Sequence, residues 1–264
     1  KNATPIIVAR LSSMLVWLLL FVILLLIKLL ARVAPRLRLV DEPDHRKQHT
    51  GSVPVVGGIG ILLTLVGSAL FWQEQGQQVI SAKSDTLWIF LTGASILTAL
   101  GVVDDRRGVS VFTRTLIEVA VALFVIEGLD LMPRKLGDLI GTGDIYMPDS
   151  IAYPFTVIAI FGVVNAYNML DGIDGLLSIM VLITIFAFHL FSGLEPGVIT
   201  LTLAASLAAF LVSNLGISPY IPKTFLGDAG SKLLGFIVVS LILAVSAQPV
   251  GGTKYIEPVT ELYL

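Results

Sequence analysis

Residues 11–30 read LSSMLVWLLLFVILLLIKLL, an apolar run that only two serines and one lysine interrupt. A transmembrane helix needs about 20 mostly apolar residues, because it must cross about 30 Å of hydrocarbon. The run is too long for the apolar part of a secretory signal peptide, and it lacks a small-residue cleavage site. We therefore predict a membrane-spanning helix here.

The composition of the whole chain indicates the same environment. Of its 264 residues, 55% are hydrophobic and 14% are charged, whereas a soluble globular protein has about 25% charged residues. So much apolar sequence excludes a disordered chain. The absence of cysteine excludes a disulfide-built fold and thiol chemistry. A net charge of −2 argues against nucleic acid as a partner, because non-specific binding needs a basic surface.

Seven further apolar runs follow the first. We predict an all-α fold, a polytopic transmembrane helical bundle with about eight spans in one integral-membrane domain, residues 1–264. The additional spans are predicted at 57–72, 86–103, 111–131, 151–170, 175–194, 196–213 and 231–247. A further apolar pattern begins at residue 257, where we expect a ninth span. We expect the full protein to be longer, with ten or eleven spans in all.

The basic residues predict how the bundle is oriented. Eight spans place 11 lysines and arginines on or next to the side that holds loops 31–56, 104–110, 171–174 and 214–230, and six on the other side. Lys232, at the start of the last span, is counted with the first group. Because cytoplasmic loops carry the excess of Lys and Arg, we predict that the first side is cytoplasmic and that the N-terminus lies outside.

Five aspartates stand near span ends on this predicted cytoplasmic side. Carboxylates are costly at a membrane unless they are paired, bound to metal or in a watery cavity. Oxygen-rich sites suit Mg²⁺, which binds one or two carboxylates together with substrate phosphates. Arginines and lysines in the same loops suit phosphate oxygens. The pattern predicts cation-assisted phosphoryl transfer, and the five acids are Asp104, Asp105, Asp171, Asp174 and Asp228.

Each cluster also has a purely structural interpretation. Asp105 beside Arg106 and Arg107 is compatible with a weak surface ion pair. Asp171 and Asp174 share one face if their segment is helical, and the structural alternative is that they stabilise the N-terminus of the sixth helix. The glycine pair at 57–58 is typical of close helix packing in membranes.

Four motifs appear in order along the chain. They are DHRKQH at 44–49 with PVVGG at 54–58, GVVDDR at 101–106, NAYNMLDGIDGL at 165–176 and FLGDAGS at 225–231. In these motifs the sequence resembles the polyprenyl-phosphate N-acetylhexosamine-1-phosphate transferases, over nearly the whole chain. It is most similar to the bacterial enzymes that transfer GlcNAc-1-phosphate from UDP-GlcNAc to undecaprenyl phosphate.

The resemblance implies catalytic and metal-binding positions. Asp228 matches the principal ligand of Mg²⁺, for which Mn²⁺ can substitute, and Asn168 matches a second ligand. Asp104 matches the residue that deprotonates or orients the lipid phosphate. Asp105 would assist Asp104 or the metal, and Asp171 would help to hold the metal-diphosphate.

The resemblance also implies substrate-binding positions. Asp174 matches a contact to the nucleobase and Asn214 a nucleotide-side asparagine. Arg114 matches a basic residue that meets phosphate, and Lys47 and His49 would border the site. The family's later His-rich cytoplasmic loop has no counterpart after Asp228, so we expect the chain to be truncated before it.

The implied reaction releases UMP and starts O-antigen or a related cell-envelope glycan at the cytoplasmic face of the bacterial inner membrane. Its partners would be UDP-GlcNAc, undecaprenyl phosphate and the bilayer. A homodimer is one of the assemblies that the sequence allows. The alternatives are a phospho-N-acetylmuramoyl-pentapeptide transferase, or a transferase of another UDP-N-acetylhexosamine. A cation-coupled carrier is more remote, because Glu118 and Glu127, its best acids within a span, are nine residues apart and fall on opposite faces of a helix.

Overall fold

The computed structural model describes residues 3–43, 51–74, 84–137, 143–192 and 196–246. Eight α-helices account for most of them: α1 Ala3–Leu37, α2 Gly57–Glu74, α3 Ser84–Arg107, α4 Val111–Leu129, α5 Asp149–Leu170, α6 Leu176–Ser192, α7 Val198–Asn214 and α8 Gly227–Ser246. Two short antiparallel ladders pair β1 (Val40–Asp41) with β2 (Val53–Pro54), and β3 (Lys135–Gly137) with β4 (Ile145–Tyr146).

Each of the eight predicted spans coincides with one helix, which confirms the all-α membrane-type fold. By length and composition α3, α5 and α8 can cross a bilayer, while α2, α6 and α7 contribute shorter apolar segments. The two ladders were not predicted, because strands of two or three residues leave no periodic pattern in the sequence. The predicted number of spans in the full protein stays a prediction.

Helix α8 is the centre of the bundle. It packs against α2, α3, α5 and α6, and almost every residue of its first three turns is buried. Phe236 stacks on Phe90 of α3, with ring centroids 5.3 Å apart. A helix that is apolar on all sides is typical of the interior of a bundle. The first turn of α8 is therefore held from several directions.

Small residues allow neighbouring backbones to touch the first turn of α8. A Cβ atom on Gly58 of α2 would overlap the backbone of Gly230, and one on Gly101 of α3 would overlap the backbone of Ala229. The Gly58 amide also donates to the Leu226 carbonyl at 3.1 Å. The packing interpretation of the glycine pair at 57–58 is thus confirmed, and these contacts fix where α8 begins.

Helix boundaries, one turn and the environment of one lysine differ from what the sequence suggests. Helix α1 continues past residue 30 to Leu37, and α8 begins at Gly227 rather than at 231. The segment 171–175 forms turns between α5 and α6, so the condition under which Asp171 and Asp174 would share a helical face is not met. Lys232, which was counted next to the cytoplasmic side, lies within α8 and is completely buried.

Candidate active site

A cavity of about 650 Å³ opens where α3, α5 and α8 meet. Four of the five predicted aspartates line it. Asp105 comes from the last turn of α3, Asp171 and Asp174 from the 171–175 turn, and Asp228 from the first turn of α8. Acids that are far apart in the sequence therefore face one space. Asp41, in β1, lies on the same wall.

Asp105 caps the N-terminus of α8 from another helix. Its Oδ1 accepts the Asp228 amide at 2.9 Å and its Oδ2 accepts the Ala229 amide at 3.2 Å. The first amides of a helix have no partner within the helix, and a carboxylate is a strong acceptor for them. The interpretation of Asp105 as a surface ion pair is therefore wrong.

Gly227 makes this cap possible. Its φ of +75° is disfavoured for residues with a side chain, and a Cβ atom there would approach Asp105 Oδ2 to 2.6 Å. Because the chain turns tightly at Gly227, Asp228 follows at once in the first helical turn. The backbone turn and the cap together hold the Asp228 side chain at the cavity.

Asp104 lies beside Asp228 but is not among the residues that line the cavity. Its Oδ1 accepts the Val109 amide at 2.8 Å, and its Oδ2 is 3.3 Å from an Arg114 guanidinium nitrogen. Its side chain is 8% exposed. The two predicted partners of phosphate, Asp104 and Arg114, thus form an ion pair at the edge of the site.

The Asp171 carboxyl group is held in a protonation state unlike that of an exposed aspartate. It accepts a hydrogen bond from the Gly227 amide. Burial, and then the charges of Asp105 and Asp228, raise the pKa of Asp171 from 3.8 to about 7. Near neutral pH this carboxyl group is therefore close to its midpoint of ionisation.

We expect this pKa shift to make the cation-free protein less stable as pH rises. The unfolded chain ionises near pH 4, whereas the folded chain keeps the proton until about pH 7, so the cost of folding grows across that window and then levels off. Asp171→Asn carries no such cost. Its melting temperature in EDTA should equal that of wild type at pH 4 and exceed it at pH 8. A difference that does not vary with pH would contradict the shift.

Asp174 lies at the mouth of the cavity in an ion pair. Its Oδ2 is 2.5 Å from Lys223 Nζ, and both side chains are part exposed. The same ammonium lies 5.4 Å from the centre of the Phe225 ring. An exposed pair of this kind is weak and exchangeable, so both groups are accessible to a ligand in the cavity.

Asn214 ties together two of the loops that carry the site. Its Oδ1 accepts the Gly175 amide at 2.6 Å, and its Nδ2 donates to the Thr224 carbonyl at 2.9 Å. The residue is buried, although it also lines the cavity. Asn214 therefore holds the turn of Asp171 and Asp174 against the segment that leads into α8.

Asn168, the second predicted metal ligand, is not among the residues that line the cavity. Its Oδ1 accepts the Ser231 hydroxyl at 2.6 Å, which joins α5 to α8. Lys47 and His49 lie outside the described residues. Among the described residues, sequence reasoning missed the specific partners of Lys232 and Lys223. Charged residues within a membrane usually pair with one another, and this rule would have predicted the ion pair between Lys232 and Glu118.

The donor set of the cavity fits a hard divalent cation that is shared with a substrate. Among the residues that the structure describes, no three His, Cys, Asp or Glu side chains are grouped so as to hold a metal ion by themselves. Mg²⁺ does not need such a group, because it retains water and binds one or two carboxylates plus substrate phosphates. Asp228, with Asp171 or Asp105 beside it, supplies carboxylate oxygens of the required type.

Comparison with known proteins identifies the family of the chain. Residues 87–246 match the family described as glycosyl transferase family 4. The chain is 32% identical to the undecaprenyl-phosphate alpha-N-acetylglucosaminyl 1-phosphate transferases of Yersinia pestis and Escherichia coli K12, over 88% of this chain and 62% and 61% of those proteins. It is also 32% identical to a Bacillus subtilis protein named a probable undecaprenyl-phosphate N-acetylglucosaminyl 1-phosphate transferase, over 85% and 60% of the two chains.

The chain spans about three fifths of the length of these relatives. The family match covers more than half of the chain, from α3 through α8. It includes four of the acids that line the cavity, namely Asp105, Asp171, Asp174 and Asp228. The chain belongs to glycosyl transferase family 4.

Proposed function

We propose that the protein transfers N-acetylglucosamine-1-phosphate from UDP-GlcNAc to undecaprenyl phosphate and releases UMP. One observation carries the proposal, namely that Asp105, Asp171, Asp174 and Asp228 line one cavity at one end of a membrane-type bundle. A lipid phosphate and a soluble nucleotide sugar can meet only where the bilayer ends. An acidic cavity at helix ends supports such a meeting point.

In this proposal a lipid phosphate oxygen attacks the β-phosphorus of the UDP-sugar. A bond forms between them, and the bond from the β-phosphorus to the bridging oxygen breaks, so that UMP leaves. A phosphate monoester is largely ionised near neutral pH, because its second pKa is about 6. The nucleophile therefore needs orientation more than a strong base, and Asp104 with Arg114 at the edge of the site is suited to that role.

The remaining residues bind and position the nucleotide sugar. The mouth of the cavity, with Asp174 and Lys223, is suited to the uridine and its phosphates. Asp228, with Asp171 beside it, would hold Mg²⁺ or Mn²⁺. Asn168 would steady the backbone of Asp228 through the Ser231 hydroxyl, which contacts both residues. When bound, a divalent cation neutralises the charge that develops on the diphosphate.

The choice of sugar and acceptor rests on the names of the relatives. The three compared proteins are named for undecaprenyl phosphate and N-acetylglucosaminyl 1-phosphate. We extend both substrates to this chain, and with them the bacterial inner membrane and a cavity on its cytoplasmic side. The excess of basic residues in the loops on that side supports this orientation.

A panel of donors tests the proposal. The purified full-length protein is incubated in detergent with undecaprenyl phosphate, Mg²⁺ and one donor at a time, and UMP is measured. We expect UMP from UDP-GlcNAc only when lipid is present, and none after EDTA. UMP from UDP-MurNAc-pentapeptide instead would establish the peptidoglycan alternative. No UMP from either donor in a folded sample would contradict both assignments.

A further inference from the structure

A second set of polar side chains lies one helical turn deeper in the bundle than the site. Glu118 of α4 and Lys232 of α8 form an ion pair, with Oε1 and Nζ 2.9 Å apart and side chains 1% and 0% exposed. The other oxygen of Glu118, Oε2, accepts a hydrogen bond from the side-chain Nδ2 of Asn165 in α5 at 2.7 Å. We name these three residues the interhelical triad.

Each member of the interhelical triad stands one turn from a site residue on its own helix. Glu118 follows Arg114 by four residues, and Lys232 follows Asp228 by four. Asn165 precedes Asn168 by three. Residues three or four apart lie on the same face of a helix. The triad therefore joins the three helices that carry Arg114, Asn168 and Asp228, directly beneath these residues.

An ion pair in this position is poorly explained by stability alone. Removing two charges from water costs about as much as their attraction returns, and replacement by apolar residues is often neutral or stabilising. Apolar packing would also hold α4, α5 and α8 together. Directional bonds add a fixed register between the helices. Apolar helix surfaces can slide past one another by a fraction of a turn, whereas a carboxylate that is bonded through both of its oxygens holds the helices at one position.

We propose that Glu118, Lys232 and Asn165 are positioning residues that set the register of α4 and α5 against α8, and thereby hold Asp228 in its productive geometry. None of the three residues of the triad is among those that line the cavity. The triad thus acts through Asp228 and Arg114 rather than on the substrate. The kinetic consequence rests on the proposed function, whereas the consequence for cation binding does not.

The test compares wild type with the double variant Glu118→Leu/Lys232→Met. Removing both charges leaves no unpaired ion, so the melting temperature should stay close to that of wild type. Mn²⁺ affinity, measured by electron paramagnetic resonance, should fall about tenfold, as it does when the support of a metal ligand is lost. The kcat for UMP release should fall by about tenfold or more, while KM for UDP-GlcNAc stays unchanged.

A matched control removes another buried polar contact between helices. Ser68 of α2 and Thr202 of α7 share a hydrogen bond of 2.9 Å away from the first turn of α8. The variant Ser68→Ala/Thr202→Val should keep the wild-type Mn²⁺ affinity and kcat.

If the double variant of the triad fails to fold, Asn165→Ala serves instead, because it releases Glu118 Oε2 and keeps the ion pair. It should lower Mn²⁺ affinity and kcat in the same direction.

The outcomes separate the two proposals. A folded triad variant with wild-type Mn²⁺ affinity would overturn the positioning role, and so would a loss of the same size in the Ser68/Thr202 control. A wild-type protein that binds Mn²⁺ but releases no UMP would contradict the proposed function and leave the inference to be decided by Mn²⁺ affinity alone.

Discussion

The Asp228→Asn variant should fold like wild type, and its rate of UMP release should be about 10²- to 10³-fold lower. This is the effect of removing one group that stabilises charge in a transition state. Asparagine keeps the size of the side chain and lets the Asp228 amide remain bonded to Asp105. It removes the negative charge that would hold the cation and that faces the positive charge of Arg114. The measurement is UMP release at saturating Mg²⁺, with a melting curve on the same sample.

Asp130→Asn is the matched control for this substitution. Asp130 ends α4 at the opposite end of the bundle from Arg114, and its side chain is mostly exposed beside Arg134. Its left-handed backbone, with φ of 48°, also suits asparagine. This variant should keep wild-type activity. Equal activity in Asp228→Asn and Asp130→Asn would contradict the role of Asp228 in the reaction.

Gly58→Val should damage both the stability and the activity of the protein. Even a Cβ atom at this position overlaps the backbone of Gly230, and backbone in a packed bundle cannot rotate away as a side chain can. We expect a loss of about 1–3 kcal/mol of stability, typical of overpacking. Displacing the first turn of α8 by about 1 Å should also lower kcat about 100-fold. Thermal melting and UMP release measure the two effects.

The same helix offers a control for a side chain added to a glycine. Nothing lies within 4 Å of the position that a Cβ atom would take on Gly67. Gly67→Ala should therefore keep wild-type activity and gain slightly in stability, because alanine favours a helix. Loss of activity in Gly67→Ala, or none in Gly58→Val, would contradict the packing of α2 against α8.

The helices and the acids of the site could be predicted because their signals are local. A run of about 20 apolar residues predicts a span without knowledge of its neighbours. Each of the eight predicted spans coincides with a helix. The position of Asp105, Asp171, Asp174 and Asp228 at span ends follows from the same segmentation, since alternate loops lie on the same side.

The partners of these residues could not be predicted, because they depend on how distant helices face one another. Asp105 caps α8 across 123 positions of sequence. Glu118 shares its predicted span with Glu127, whereas its partner is Lys232, 114 positions away. The 171–175 turn was also ambiguous, because its glycines and aspartates suit both a helix start and a turn.

The most direct test of the account follows the β-phosphorus of the donor. The full-length protein is given UDP-GlcNAc labelled with ³²P at the β position, together with undecaprenyl phosphate and Mg²⁺. Attack at the β-phosphorus predicts that all transferred label enters the lipid fraction and that UMP, unlabelled, appears in equal amount. Release of labelled UDP, with sugar but no label in the lipid, would show transfer of the sugar alone and contradict phosphoryl transfer at this site.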